Sequence, residues 1–266
     1  MSNMFPAPVL ERVRGVVAGD LVVELRGWRL ELVGPRRGFM PTVSEVSSPC
    51  PSKRDVYLRR VRGLKPASDG VLLAGRVFHE AFLEPFRVVL RAGPSLERLA
   101  GAKARLLRGA PRELRSAASR VFDASSALAM AWGVGGARLP VAVEPEVPGG
   151  PVGLSDVVRP DLLVAGVPVD FVYGNGLERK ELAVAAYAMA VEAASNNPVN
   201  YGVVVQYAGG RLLWRAVILD DRVRSRFLEA RDAVARIVES GEDPGVAESC
   251  PDWCPWRGVC HAALRV

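Results

Sequence analysis

The sequence predicts an α/β fold with a helical N-terminal part, and three observations carry that expectation. Apolar residues recur at helical spacing through the first half of the chain. From about residue 139 the period shortens to that of strands, and after that point strand-like and helical runs alternate up to a cysteine-rich tail. With 266 residues, 49% of them hydrophobic and 24% charged, the chain can build one large domain, or a domain with an added lobe.

The first 50 residues are punctuated by Pro and Gly, with a short amphipathic stretch near 9–17 and a strand predicted over 20–33. After Cys50, Ser52 followed three positions on by Asp55 reads as a helix start, with Ser52 as the cap. Apolar Val56, Tyr57 and Val61 then fall on one helical face. Helices are expected at 70–86, with Pro85 near the end, at 95–108, and at 112–132, entered by Pro111. Short strand-like runs follow at 141–144, 154–158, 162–165 and 167–173, broken by Gly and Pro. A helix over 177–194 leads to two strands, 201–207 and 211–219, around a Gly209-Gly210 turn, and a last helix spans 221–240. Three parts are expected: an N-terminal region and helical lobe at 1–138 holding Cys50 and His79, an αβ core at 139–240, and a tail at 241–266 that packs back on Cys50.

The formal net charge is +6 and the isoelectric point about 9.4. This permits a polyanionic partner without requiring one. Lys53, Arg54, Arg59, Arg60, Arg62 and Lys65 crowd one stretch; Lys103, Arg105, Arg108, Arg112, Arg115 and Arg120 crowd a second. Each group reads either as a phosphate-binding surface or as a solvated helix face. No apolar run reaches the roughly 20 residues a bilayer requires. The N-terminal stretch lacks the apolar core of a signal peptide. A cytoplasmic protein with no membrane partner is expected.

Four cysteines occur: Cys50, then Cys250, Cys254 and Cys260, the last three in a C-x3-C-x5-C pattern. In a cytoplasmic chain this points to a metal or cluster site before disulfides. Zinc favours two close pairs, each forming half a tetrahedron. A three-plus-one division with a wide gap better suits a 4Fe-4S cubane, whose four irons each take one thiolate. Pro251, Trp253, Pro255 and Trp256 would cover it. Zinc, disulfides and free thiols remain the alternatives.

Asp161 and Asp170 stand in apolar, strand-forming segments, where a lone carboxylate is costly to bury. Joined by an Ala165-Gly166 turn, they can face each other across a hairpin and hold Mg²⁺ or Mn²⁺ through hard oxygen ligands. They read equally well as strand-end turn residues. His79 lies in a helical run, and by itself fits a partly exposed helix histidine.

Together these parts resemble the RecB-like branch of the PD-(D/E)xK nucleases, and within it the CRISPR-associated exonucleases of the fourth Cas family. That family carries one cysteine before its core and three at the end. Between them stand a helix-borne histidine, a strand aspartate and an E/D-x-K strand. Cys50, His79, Asp161, Asp170, Cys250, Cys254 and Cys260 match this order. The segments 50–60 (CPSKRDVYLRR) and 179–187 (RKELAVAAY) are most similar to the archaeal subtype I-A variant.

The resemblance implies a nuclease core of mixed sheet flanked by helices, with the 4Fe-4S cluster held by the four cysteines. It also implies a divalent metal held by His79, Asp161 and Asp170, and Tyr187 as part of the catalytic set. The substrate implied is DNA, as single-stranded ends or overhangs processed during CRISPR adaptation beside the integrase proteins. Arg54, Arg59, Arg60 and Lys65 are the candidate DNA contacts.

Three positions depart from the family pattern. Val172 replaces the strand lysine, Ala183 replaces a helix glutamine, and the first gap in the tail is three residues rather than two. Lys180 lies seven positions before Tyr187, two helical turns away on the same face. It is expected to supply the missing ammonium; an exposed first-turn lysine paired with a glutamate is the alternative. Two functions therefore stand side by side: a metal-dependent end-processing nuclease, or a weakened DNA-binding and assembly subunit. A third, a redox-responsive protein working through its cluster, fits the tryptophan cover less well.

Overall fold

The computed structural model describes residues 5–17, 21–34, 38–66, 70–134, 140–174, 176–250 and 254–262. Ten α-helices are described: α1 Ala7–Val17, α2 Leu30–Val33, α3 Val43–Val46, α4 Arg54–Arg60, α5 Gly70–Ala92, α6 Leu96–Gly109, α7 Arg115–Val134, α8 Leu177–Ser195, α9 Asp221–Ser240 and α10 Arg257–Ala262. Seven strands accompany them: β1 Val141–Val143, β2 Val147–Pro148, β3 Val157–Val158, β4 Leu162–Val164, β5 Val167–Tyr173, β6 Tyr201–Ala208 and β7 Arg211–Ile218.

The main sheet runs β1-β4-β5-β6-β7, and β2 pairs with β3 in a small separate ribbon. All neighbours in the main sheet are antiparallel except β5 and β6, which are parallel and joined through α8. The expected α/β class with a mixed sheet flanked by helices is what the chain adopts. No described helix is long and apolar enough to cross a membrane.

Alternation along β5 sends successive side chains to opposite faces. Val167, Val169 and Phe171 enter a core built with Val9, Phe78, Phe82 and Phe122 from α1, α5 and α7. Val172 points the other way, into a second core with Ala183, Val184, Ala186 and Met189 of α8 and Phe227 of α9. Helices α1, α5, α6 and α7 thus share one core with the sheet, whereas α2 and α3 pack into the second. The 138/139 boundary lies outside the described residues.

Beyond its charged first turns, α8 is apolar all round and buried from Ala183 to Val191 except at Tyr187. Small residues let it lie close: a Cβ at Gly202 would sit 2.1 Å from Val184, and one at Gly27 only 1.9 Å from the Met189 carbonyl.

Three local expectations are corrected. The segment predicted as a strand over 20–33 is irregular over its described residues and ends in α2. Carboxylates rather than a neighbouring strand take its amides: Glu24 and Leu25 N–H donate to Asp221, and Gly27 N–H donates to Glu192. Ser52 does not cap α4. The cap position is Lys53 in the left-handed region, φ 57°, and Ser52 Oγ donates to the Gly245 carbonyl instead. Helix α5 continues past Pro85 to Ala92, because Phe86 and Val89 still bury against the sheet-side core. Ser95 and Asp220, by contrast, cap α6 and α9 through their side chains.

Candidate active site and cysteine site

The β4–β5 hairpin closes on Ala165 and Gly166, φ 49° and 83°, the double left-handed geometry of a tight two-residue turn. Its register pairs Val164 with Val167 and Leu162 with Val169. One step further along the same antiparallel register, Asp161 stands opposite Asp170. Both are buried, Asp170 to 1% exposure.

Asp161 is fixed at both oxygens. Oδ2 accepts from Phe171 N–H at 2.7 Å, and Oδ1 lies 2.8 Å from His79 Nε2 on α5. Its carbonyl accepts from Glu144 N–H. Burial would raise the Asp161 carboxyl, but the hydrogen bond and charge of His79, with Lys180 and the Phe171 amide, outweigh it and hold the group below the usual carboxylate range. The same contact acts on His79: burial disfavours the imidazolium, yet Asp161, Asp170 and Glu144 together raise its pKa.

Asp170 takes its positive charge from the helix that covers its side of β5. Lys180, in the first turns of α8, places Nζ 2.6 Å from Asp170 Oδ2. This is not enough to offset burial and the adjacent Asp161, and the Asp170 carboxyl is pushed up to about 6. Tyr187 lies two turns along α8. Burial and both aspartates raise its phenol, so it stays protonated. Val172, two positions after Asp170 on the same face of β5, is 3% exposed within the apolar core.

A cleft of about 860 Å³ opens beside this constellation, with His79, Lys180, Phe78, Tyr173 and Arg120 among its lining residues. Each buried carboxylate is therefore one contact removed from solvent, Asp161 through His79 and Asp170 through Lys180. Glu144, Arg120 and Tyr173 join this neighbourhood without having been singled out for it in the sequence. Arg120 was visible only as one of a basic group, and a lone Glu at a strand end carries no signal.

The tail lies against α4. Tyr57 and Leu58 pack with Trp256 and Cys260, with Cys254 at the edge of the cluster. All four cysteines are free. Burial raises the Cys250 thiol, and negative charge on Cys254, Cys50 and Cys260 would raise it further. Pro251 and Trp253 lie outside the described residues. No set of three or more His, Cys, Asp or Glu among the described residues forms a ready metal cage.

The basic residues expected to meet DNA divide. Arg54 is corrected: it is 2% exposed, pairs with Asp243 at 2.7 Å, and donates to the carbonyl and thiol of Cys260. Its charge belongs to the cysteine site. Arg60 is half engaged, with Nε on Glu45 and its guanidinium 5.6 Å from the Phe39 ring centre. Arg59 is exposed and lies over Trp256, and Lys65 is exposed.

A mixed sheet on which two buried carboxylates, a histidine and a lysine converge beside its one parallel pairing defines an αβ protein with a compact charged centre. The chain belongs to the CRISPR-associated exonuclease Csa1 family, which it matches over residues 3–264. It is 32% identical over 262 residues to the CRISPR-associated exonuclease Csa1 of Thermoproteus tenax, covering 90% of this chain and 91% of that one. It is 26% identical over 269 residues to the protein of that name from Saccharolobus solfataricus, with the same coverage.

Proposed function

We propose that this chain is a metal-dependent DNA exonuclease with a RecB-like PD-(D/E)xK core, trimming single-stranded ends for spacer acquisition beside the CRISPR integrase proteins. The observation that carries the reading is the Lys180–Asp170 contact of 2.6 Å. It sets an ammonium on the carboxylate pair although the strand lysine is replaced by Val172.

The donor set suits Mg²⁺ or Mn²⁺: two hard carboxylates and an imidazole, at a centre where Asp170 is short of positive charge. Asp161, Asp170 and His79 would hold the ion, exchanging part of their present pairing for it. A divalent ion there supplies Lewis-acid stabilisation of charge on a phosphodiester. The chain's own part is to orient Asp161 through Phe171 N–H, and to keep an ammonium at Lys180 where negative charge develops. The Tyr187 phenol remains protonated beside them. In the tail, Cys50, Cys250, Cys254 and Cys260 would ligate a 4Fe-4S cluster, with the buried Arg54 guanidinium 3.3 Å from one sulfur.

The test is cleavage of an end-labelled single strand with Mg²⁺ or Mn²⁺. Divalent-dependent shortening that Asp161→Ala abolishes is expected; cleavage undiminished in that variant contradicts the assignment. A weakened DNA-binding and assembly subunit is favoured by one observation, the closed apolar setting of Val172. Wild type that binds DNA but never cuts would select that reading.

A further inference from the structure

The cleft beside the carboxylates carries a feature that the proposed chemistry does not use. Phe78 and Tyr173 stack at 4.3 Å between ring centres, 23° from parallel, and Tyr207 lies 5.3 Å from Phe78 and 6.4 Å from Tyr173. Phe78 and Tyr207 are buried, whereas Tyr173 is 41% exposed. Tyr173 therefore has one face spent on Phe78 and part of its surface open. It is the last residue of β5, three positions after Asp170, and shares the cleft with His79 and Lys180. Arg120 reaches the Tyr207 hydroxyl at 3.5 Å and lines the same cleft; Glu113 is an acid there as well.

Resting on the nuclease reading above, we propose that Tyr173, backed by Phe78, is a stacking platform for a base of a single DNA strand whose phosphodiester lies at the carboxylates, with Arg120 holding a backbone phosphate. Stacking is indifferent to base identity and needs an unpaired base, so the platform selects single strands over blunt duplex without reading sequence. Arg offers a planar fork suited to phosphate.

The test uses the full chain in chelator, so that nothing is cut, with a fluorescent 12-nucleotide single strand, the same strand with single abasic positions, and a blunt duplex. Tyr173→Ala is expected to weaken single-strand binding roughly 10-fold and leave duplex binding unchanged. Tyr173→Trp retains affinity. Tyr173→Leu, which keeps an apolar contact on Phe78 without a ring face, behaves as Tyr173→Ala. In wild type one abasic position costs the same factor, and that loss vanishes in Tyr173→Ala. Unchanged single-strand affinity in Tyr173→Ala, equal loss on duplex, or wild-type affinity in Tyr173→Leu would overturn the platform. Because the readout is binding without metal, a protein that never cleaves but shows this pattern rejects the nuclease reading alone.

Discussion

Lys180 Nζ lies 2.6 Å from Asp170 Oδ2, although the two residues come from different elements and are separated by the end of β5 and the entry to α8. The contact follows from alternation. Asp170 and Val172 share the β5 face that α8 covers, so a lysine rooted early on α8 reaches the carboxylate that a lysine at position 172 would have flanked from within the strand. Its exposure of 23% leaves the ammonium partly open to the cleft.

Asp170 itself is expected to make stability fall with rising pH. Its folded-state carboxyl is raised to about 6, above the unfolded value of about 4. The folded chain thus keeps a proton that the unfolded chain releases. That contribution is complete below about pH 4 and is lost as pH climbs through about 6. In metal-free protein, Asp170→Asn should therefore exceed wild type in stability above pH 6, by about 1–3 kcal/mol. Urea denaturation at pH 4.5 and pH 7.5 checks this; a variant less stable at pH 7.5 contradicts it.

Glu192 should act with the opposite sign. It is fully buried, receives two bonds from the equally buried Arg224 and one from Arg26, and accepts the N–H groups of Gly27 and Val199. Burial alone would raise its carboxyl, but these partners hold it below the ordinary range. Its contribution is present above about pH 4.5 and is lost as pH falls through the lower folded value. Glu192→Ala strands Arg224 without its partner and should cost about 3–5 kcal/mol at pH 7. A loss under 1 kcal/mol by thermal or urea unfolding contradicts the account.

Elements with a strong local period were legible in the sequence. The hairpin turn at Ala165-Gly166, the strand Val167–Tyr173 and the helix Asp221–Ser240 were marked by turn residues, a short apolar run bounded by Gly and Pro, and helical spacing. The segment before Leu30 was not, because what holds it is long-range: Asp221 and Glu192 carboxylates take its amides. Arg54 was misread for a related reason. Charge density along the chain cannot distinguish a guanidinium on the surface from one buried against Asp243 and Cys260. In the candidate site, each expected residue was visible by type and order, whereas the cleft and its Phe78–Tyr173 stack arise only from packing α5 on β5.

The proposed cluster predicts brown protein from anaerobic purification, with about four irons per chain and visible absorbance bleached by reductant. Cys254→Ser should lose iron and lower the melting temperature, since ligation ties the tail to α4. Colourless protein with one tightly held zinc would contradict the cluster.

Arg59 and Arg54 should separate cleanly as DNA contact and structural cation. Charge reversal at Arg59 and Arg60 together should weaken binding alike on unrelated sequences and reduce its salt dependence. Arg54→Ala should instead destabilise the fold, because it removes the guanidinium partner of Asp243 and the donor to the Cys260 carbonyl. Titration by fluorescence anisotropy at two salt concentrations, beside a melting curve, distinguishes them. Unchanged affinity in the Arg59/Arg60 variant would mean that this face is only solvated.

The central claim is that Lys180 performs the part that Val172 cannot. The direct measurement is single-turnover cleavage of an end-labelled single strand by Lys180→Ala, beside Asp161→Ala and wild type, with iron content and DNA affinity measured on the same preparations. The account predicts that Lys180→Ala loses cleavage about as fully as Asp161→Ala, at least 100-fold, while iron and affinity stay near wild type. Cleavage by Lys180→Ala at the wild-type rate would contradict it.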